Sequence, residues 1–137
     1  MFNFILASSL IGGIGAFLFG SWLPLMGVLL VMIALDILTG FGKAIYNKEL
    51  RSRNMSHGML RKGGIMVMVI VANMIDVAMF AGLPVARVGV LSYYIGMEGI
   101  SILENLTACN VPIPAFIKKY LLVLKDKGKD LEEKETR

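Results

Sequence analysis

Long apolar runs occupy most of residues 2–106, broken by a few turn-forming or charged intervals. A helix rises about 1.5 Å per residue, so roughly 20 apolar residues cross the hydrocarbon layer of a bilayer. The first run, residues 2–35, is too long for one span. Gly20, Ser21 and Pro24 lie near its middle, and Trp22 beside them is a natural interface anchor. The pattern therefore predicts a short first span over about 4–19 and a second over about 23–41. A third follows over about 63–81 and a fourth over about 86–106. Between the last two, Gly82-Leu83-Pro84 leaves room only for a tight turn, which makes them an antiparallel hairpin.

Beyond the spans the pattern changes. Residues 113–127 place Phe116, Ile117, Tyr120, Leu121 and Leu124 on one helical face, with Lys118, Lys119 and Lys125 elsewhere. Pro112 and Pro114 stand at the start of this segment, as a helix start favours. A basic amphipathic helix of this kind suits the anionic inner leaflet of a membrane. The same stripe equally suits packing against the protein's own bundle. Residues 128–137 are dense in charge and are expected to be a solvated, flexible tail. The expected architecture is an all-α integral membrane protein, with about four transmembrane helices and a C-terminal interfacial helix. Residues 1–127 form its single domain.

Composition explains why a membrane is needed. The 137 residues are 56% hydrophobic, more apolar surface than a soluble domain of this size can hide. The net charge of +4 is unevenly placed. No charge occurs before Asp36, whereas six basic residues and one acid lie between Lys43 and Lys62, and the tail after Leu106 holds seven basic and five acidic residues. Basic clusters beside apolar spans mark the cytoplasmic side, so both termini are expected in the cytoplasm, with Arg87 alone on the far side. No aromatic interleaving or recognition motif accompanies these clusters, which argues against nucleic acid. A signal peptide is the rival reading of the first run. It lacks a basic leading region, and Ser21-Trp22-Leu23-Pro24 is a poor cleavage site, so a retained span is expected.

The exceptions to hydrophobicity carry the functional information. Carboxylates within spans are costly in lipid and must be accounted for. Asp36 and Glu104 lie near the cytoplasmic boundary, where helix-end solvation would suffice. Asp76 and Glu98 lie deeper, with Asn73 one turn before Asp76. On the fourth span Tyr94, Glu98, Ser101 and Asn105 share one face, while Gly89, Ser92, Gly96 and Gly99 share the opposite one. The first span carries a comparable ladder of small residues, Ser8, Gly12, Ala16 and Gly20. Such ladders let helices approach closely, within one chain or between copies. The polar stripe is a candidate for a lumen or for contact between copies.

Nothing resembles a catalytic constellation, and neither a metal nor a cofactor is expected. His57 stands alone and Cys109 is the single cysteine, so no metal-ligand cluster or intramolecular disulfide is available. Ser8, Ser9, Ser56 and Ser101 lack a base and an orienting partner. Gly12-Gly13-Ile14-Gly15 has no preceding strand and no Lys-Ser/Thr pair, so it is not a phosphate loop.

Several ordered features resemble the toxin-secretion/phage-lysis holin family of small membrane proteins. Asp36-Ile37-Leu38-Thr39-Gly40 closes the second span, followed by Lys43-Ala44 and a basic linker, with Arg61-Lys62 before the third span. Ala72-Asn73-Met74-Ile75-Asp76 lies within that span. Most distinctive is the run from Tyr94 through Glu98-Gly99 to Glu104-Asn105, followed by Val111-Pro112-Ile113-Pro114. Met97 departs from the Asn expected before the Glu-Gly pair. The resemblance implies accumulation in the cytoplasmic membrane of a bacterium and homo-oligomerisation into lesions. Through these an endolysin, or in some hosts a toxin, leaves the cell. Glu98, Ser101, Asn105, Tyr94, Asp76, Asn73, Asp36, Thr39 and Glu104 are then candidates for the pore or the oligomer contacts. A small proton-coupled exporter would also suit buried carboxylates, but it calls for an acidic residue in the first span, which has none. A regulatory antiholin or non-pore scaffold is a third reading.

Overall fold

The computed structural model describes residues 1–135, and for Ser52 and residues 131–135 the backbone alone. Five helices follow in order: α1 Phe2–Phe19, α2 Pro24–Tyr46, α3 Ser52–Met79, α4 Val85–Ala108 and α5 Ala115–Glu135. No strand occurs among the described residues. The fold is all-α, and α1, α2 and residues 53–79 of α3 are each long and apolar enough to cross a membrane. Helix α4 matches them in length but carries Arg87, Glu98 and Glu104.

Local chemistry sets the helix boundaries. α1 ends at Gly20, whose φ of 71° is a conformation that side chains disfavour. Pro24 opens α2, where its missing N–H costs nothing and its fixed φ suits a first helical turn. α2 runs past 41 to Tyr46, ending with Asn47 and a left-handed Lys48. Because α3 already begins at Ser52, most of the basic segment rides on helical turns. Left-handed Ala81 and Gly82 make the α3–α4 turn, closed by Phe80 and Gly82 N–H groups donating to the Asp76 carbonyl. Left-handed Asn110 and Pro112 separate α4 from α5. α5 continues through Gly128 to Glu135, and residues 136–137 of the expected tail lie outside the described residues.

The core sits where α2, α3 and α4 meet. Met26, Leu29 and Ile33 of α2 pack with Ile65 and Val69 of α3 and Leu91 and Ile95 of α4. Each set recurs at three- or four-residue steps, which puts one stripe of each helix inward. α4 is the hub, touching α2, α3 and α5. One of its faces carries Arg87, Leu91, Ile95, Glu98 and Ile102; another carries Gly89, Ser92, Gly96 and Gly99; all nine are buried.

The second face receives α5. A Cβ on Gly96 would lie 2.7 Å from the Lys125 backbone nitrogen and 2.8 Å from the Leu121 carbonyl oxygen. One on Gly128 would lie 2.7 Å from the Gly89 carbonyl oxygen. Leu121 thus meets Gly96 and Gly99, and Gly128 meets Gly89 and Tyr93, so α5 runs antiparallel along α4. Of the two placements open to this amphipathic segment, the structure has it against its own bundle. α1 is the opposite case: it contacts α3 near its end and has no buried residue.

Candidate functional site

Two charged centres lie inside this apolar bundle. Lys62 and Asp76 are fourteen residues apart on α3, so the centres are separated by about 21 Å along that helix.

The first centre joins helix ends. Asp76 is fully buried and Arg87 is 1% exposed, with Arg87 Nε donating to Asp76 Oδ2 at 3.1 Å. The same carboxylate accepts from the Ala86 backbone N–H at 2.6 Å and from that of Arg87 at 3.1 Å. α4 has no side-chain cap of its own. Asp76 therefore caps it from the neighbouring helix, placing negative charge where the helix dipole is positive. The Arg87 guanidinium also donates to the carbonyls of Phe19 at 2.9 Å and Ser21 at 3.0 Å. Asn73 Nδ2 donates to Phe17 at 2.8 Å and Leu18 at 3.0 Å. Orphan carbonyls at the end of α1 thus find donors from α3 and α4. Gly20 is packed against Arg87 and Asn73 with no room for a Cβ. Both the α1–α2 turn and the α3–α4 turn lie at this end of the bundle.

The second centre is a carboxylate pair around one ammonium. Lys62 Nζ donates to Asp36 Oδ2 at 2.5 Å and to Glu98 Oε2. Asn105 Nδ2 donates to Asp36 Oδ1 at 3.0 Å and to the Thr39 hydroxyl at 3.2 Å. Thr39 in turn donates to the Leu35 carbonyl at 2.8 Å. One residue each from α2, α3 and α4 therefore meets at Lys62, with formal charges of two acids and one base. Nearby, Asn110 Nδ2 donates to the Tyr46 hydroxyl at 2.8 Å, tying the ends of α2 and α4.

Among the described residues, no buried side-chain nitrogen or oxygen lacks a hydrogen-bond partner. This decides how the interior charges are tolerated: each finds its polar partners within the chain. Of the residues singled out by sequence, Asp36, Thr39, Glu98 and Asn105 come together at Lys62, and Asn73 and Asp76 at Arg87. Ser101 is half-buried and lines an open cavity beside the second centre. Tyr94 packs against the core and meets Tyr93 edge-on at 5.2 Å. Glu104 is exposed near the end of α4. Gly89, Gly96 and Gly99 pack beneath α5 and Ser92 between them is buried, whereas Ser8, Gly12 and Ala16 are exposed on α1.

Lys62 and Arg87 are the residues that sequence reading passed over. Each looked like a basic residue at a span boundary, yet each organises a centre. The signal was the hairpin register. Asp76 lies six residues before Gly82 and Arg87 five after; Lys62 lies twenty before and Glu98 sixteen after. An antiparallel hairpin about Gly82 brings both opposite-charge pairs level to within about one helical turn.

An all-helical fold with three membrane-length apolar helices and a charge-bearing fourth packed among them is that of a small membrane protein. The chain matches the bacteriophage holin family over residues 13–126 and belongs to that family. A probable holin of Bacillus phage phi105 is 41% identical over 120 residues, spanning 88% of this chain and 87% of the relative. An uncharacterised protein of Clostridium perfringens is 41% identical over 118 residues, spanning 86% and 87%. The uncharacterised Bacillus subtilis protein YqxH is 38% identical over 110 residues, spanning 80% and 77%. No solved structure matches the chain.

Proposed function

We propose that this protein acts as a holin: copies accumulate in the cytoplasmic membrane of a bacterium and assemble into lesions that release an endolysin or a toxin. Four helices, α1 to α4, cross the bilayer in this reading. The turn between α2 and α3, and the α4–α5 junction, face the cytoplasm. The basic residues near Lys43–Lys62 support that orientation.

The observation that carries the reading is a division of labour between inside and outside. The interior charges pair within one chain, holding α2, α3 and α4 together. The outside is left apolar, and α1 exposes most of its length, including Phe4, Leu10, Ile14 and Phe17 and the small residues Ser8, Gly12 and Ala16. A surface of that kind suits lipid or a second copy equally, which is what a protein that first disperses and then assembles requires. In this reading Asp36, Asp76 and Glu98 act as contacts between helices, and association runs through the exterior.

Induction with and without a cytoplasmic endolysin tests it. Lysis is expected only when both are present, with collapse of membrane potential on expression of the protein alone. Endolysin retained in the cytoplasm while potential persists would reject the lesion-forming reading and leave an antiholin or scaffold role.

A further inference from the structure

Between the charged end of α2 and the start of α3 lies an open cavity of about 540 Å³. Its lining combines two chemistries. Lys43, Arg51 and Arg61 contribute cationic groups, while Leu38, Phe41 and Met59 contribute apolar walls. Four bases in all (with Lys62) and two acids, Asp36 and Glu49, line it; counting Glu98, which pairs with Lys62 behind the lining, the formal charge is +1. Lys62 is held between Asp36 and Glu98. Lys43, Arg51 and Arg61 have no ion pair among the described residues.

The position matters as much as the lining. The cavity lies where α2 and α3 pass from apolar to basic sequence, the level at which a bilayer passes from acyl chains to headgroups. A soluble anion would use the basic groups and leave Leu38, Phe41 and Met59 unused. A zwitterionic lipid would use the apolar walls but bring no net charge to a cationic site. Basic pockets between membrane helices on the cytoplasmic side suit anionic headgroups. We infer that this cavity binds one anionic phospholipid, its phosphate between Lys43, Arg51 and Arg61 and its upper acyl chain along Leu38, Phe41 and Met59. The site deepens the proposed function and rests on it only for the cytoplasmic orientation; it does not require lesion formation. Its occupant bridges α2 and α3 just outside the Lys62 centre.

Native mass spectrometry of the full chain from detergent, with equal phosphatidylglycerol and phosphatidylcholine, tests it. One phosphatidylglycerol should be retained in preference. Each of Lys43→Gln and Arg61→Gln should lower its retention about fivefold, the size expected for one basic residue at an anionic surface. Arg53→Gln, outside the cavity, should change little. A second measurement locates the lipid. In Trp22→Phe/Phe41→Trp, brominated phosphatidylglycerol should quench the indole more than brominated phosphatidylcholine does. Equal retention of both lipids, equal loss in Arg53→Gln, or quenching indifferent to headgroup would overturn the site. Displacement of the lipid by millimolar inorganic phosphate would reassign the cavity to a free anion and overturn the lipid. These readings use purified protein, so a chain that binds the lipid but fails to release endolysin would sink the holin role alone.

Discussion

Asp76 holds Arg87 twice: its carboxylate accepts from both the guanidinium and the backbone N–H of that residue, at 3.1 Å in each case. The arginine is thereby fixed at side chain and main chain together, and its remaining donors turn toward the end of α1. One buried pair sets the start of α4, the close of the α3–α4 turn and the attachment of α1.

Removing that charge should be costly. Asp76→Asn keeps the shape but leaves the Arg87 guanidinium buried without its counter-ion. Breaking one partner of a buried pair costs about 3–5 kcal/mol. Thermal unfolding in detergent, followed by Trp22 fluorescence beside this centre, should show a large fall. The double variant Asp76→Asn/Arg87→Met should be less destabilised than the single one.

The second centre predicts the same sign with a different partner count. Lys62→Met leaves Asp36 and Glu98 facing each other without a cation, and a loss of about 3–5 kcal/mol is expected. Neutralising both acids in Lys62→Met/Asp36→Asn/Glu98→Gln should restore part of it. Denaturant unfolding of the three-residue variant against Lys62→Met measures the difference. A triple variant less stable than the single one would contradict the account.

Helix α5 rests on a backbone-to-backbone approach, so Gly96 should tolerate little. A side chain there meets main-chain atoms of Leu121 and Lys125, which cannot rotate away. Overpacking costs about 1–3 kcal/mol. In Gly96→Leu, trypsin should cut at Lys125 or Lys127 roughly ten- to a hundredfold faster, since cleavage tracks the population of the opened form.

Gly12 offers the contrast. Nothing lies within 4 Å of a Cβ built there. Gly12→Ile should leave the unfolding of the monomer nearly unchanged, because helix propensity accounts for only about 0.5–1 kcal/mol, in the stabilising direction. If copies associate through the α1 ladder, chemical crosslinking in membranes should fall several-fold. Unchanged crosslinking would move the contact to another surface.

How much of this was legible in the sequence differs from element to element. The turns at Gly20–Pro24 and Gly82–Pro84 were readable because Gly and Pro act locally, through φ and a missing donor. So were the buried carboxylates, because any charge amid apolar residues stands out. Their partners were not, because the rule that places basic residues at a membrane's inner edge explains Lys62 one residue at a time. Only the hairpin register, a relation between residues, couples it to Glu98. The seat of α5 was hidden for another reason: its apolar stripe of Ile117, Leu121 and Leu124 has the same periodicity whether it meets lipid or α4. The Gly89–Gly99 face and Gly128 are complementary, but that complementarity appears only when the two helices are laid antiparallel.

The attachment of α1 has a mechanical consequence. Its hydrogen bonds to α3 and α4 gather at Phe17, Leu18 and Phe19, and Gly20 beyond them is the bend into α2. About four turns of helix therefore extend from a single clamped end. Torque applied anywhere along that arm is delivered to one joint, built from Asn73 and Arg87. A neighbour that grips Ser8 or Gly12 would thus pull, through roughly 9–15 Å of rigid helix, on the residues that define the start of α4.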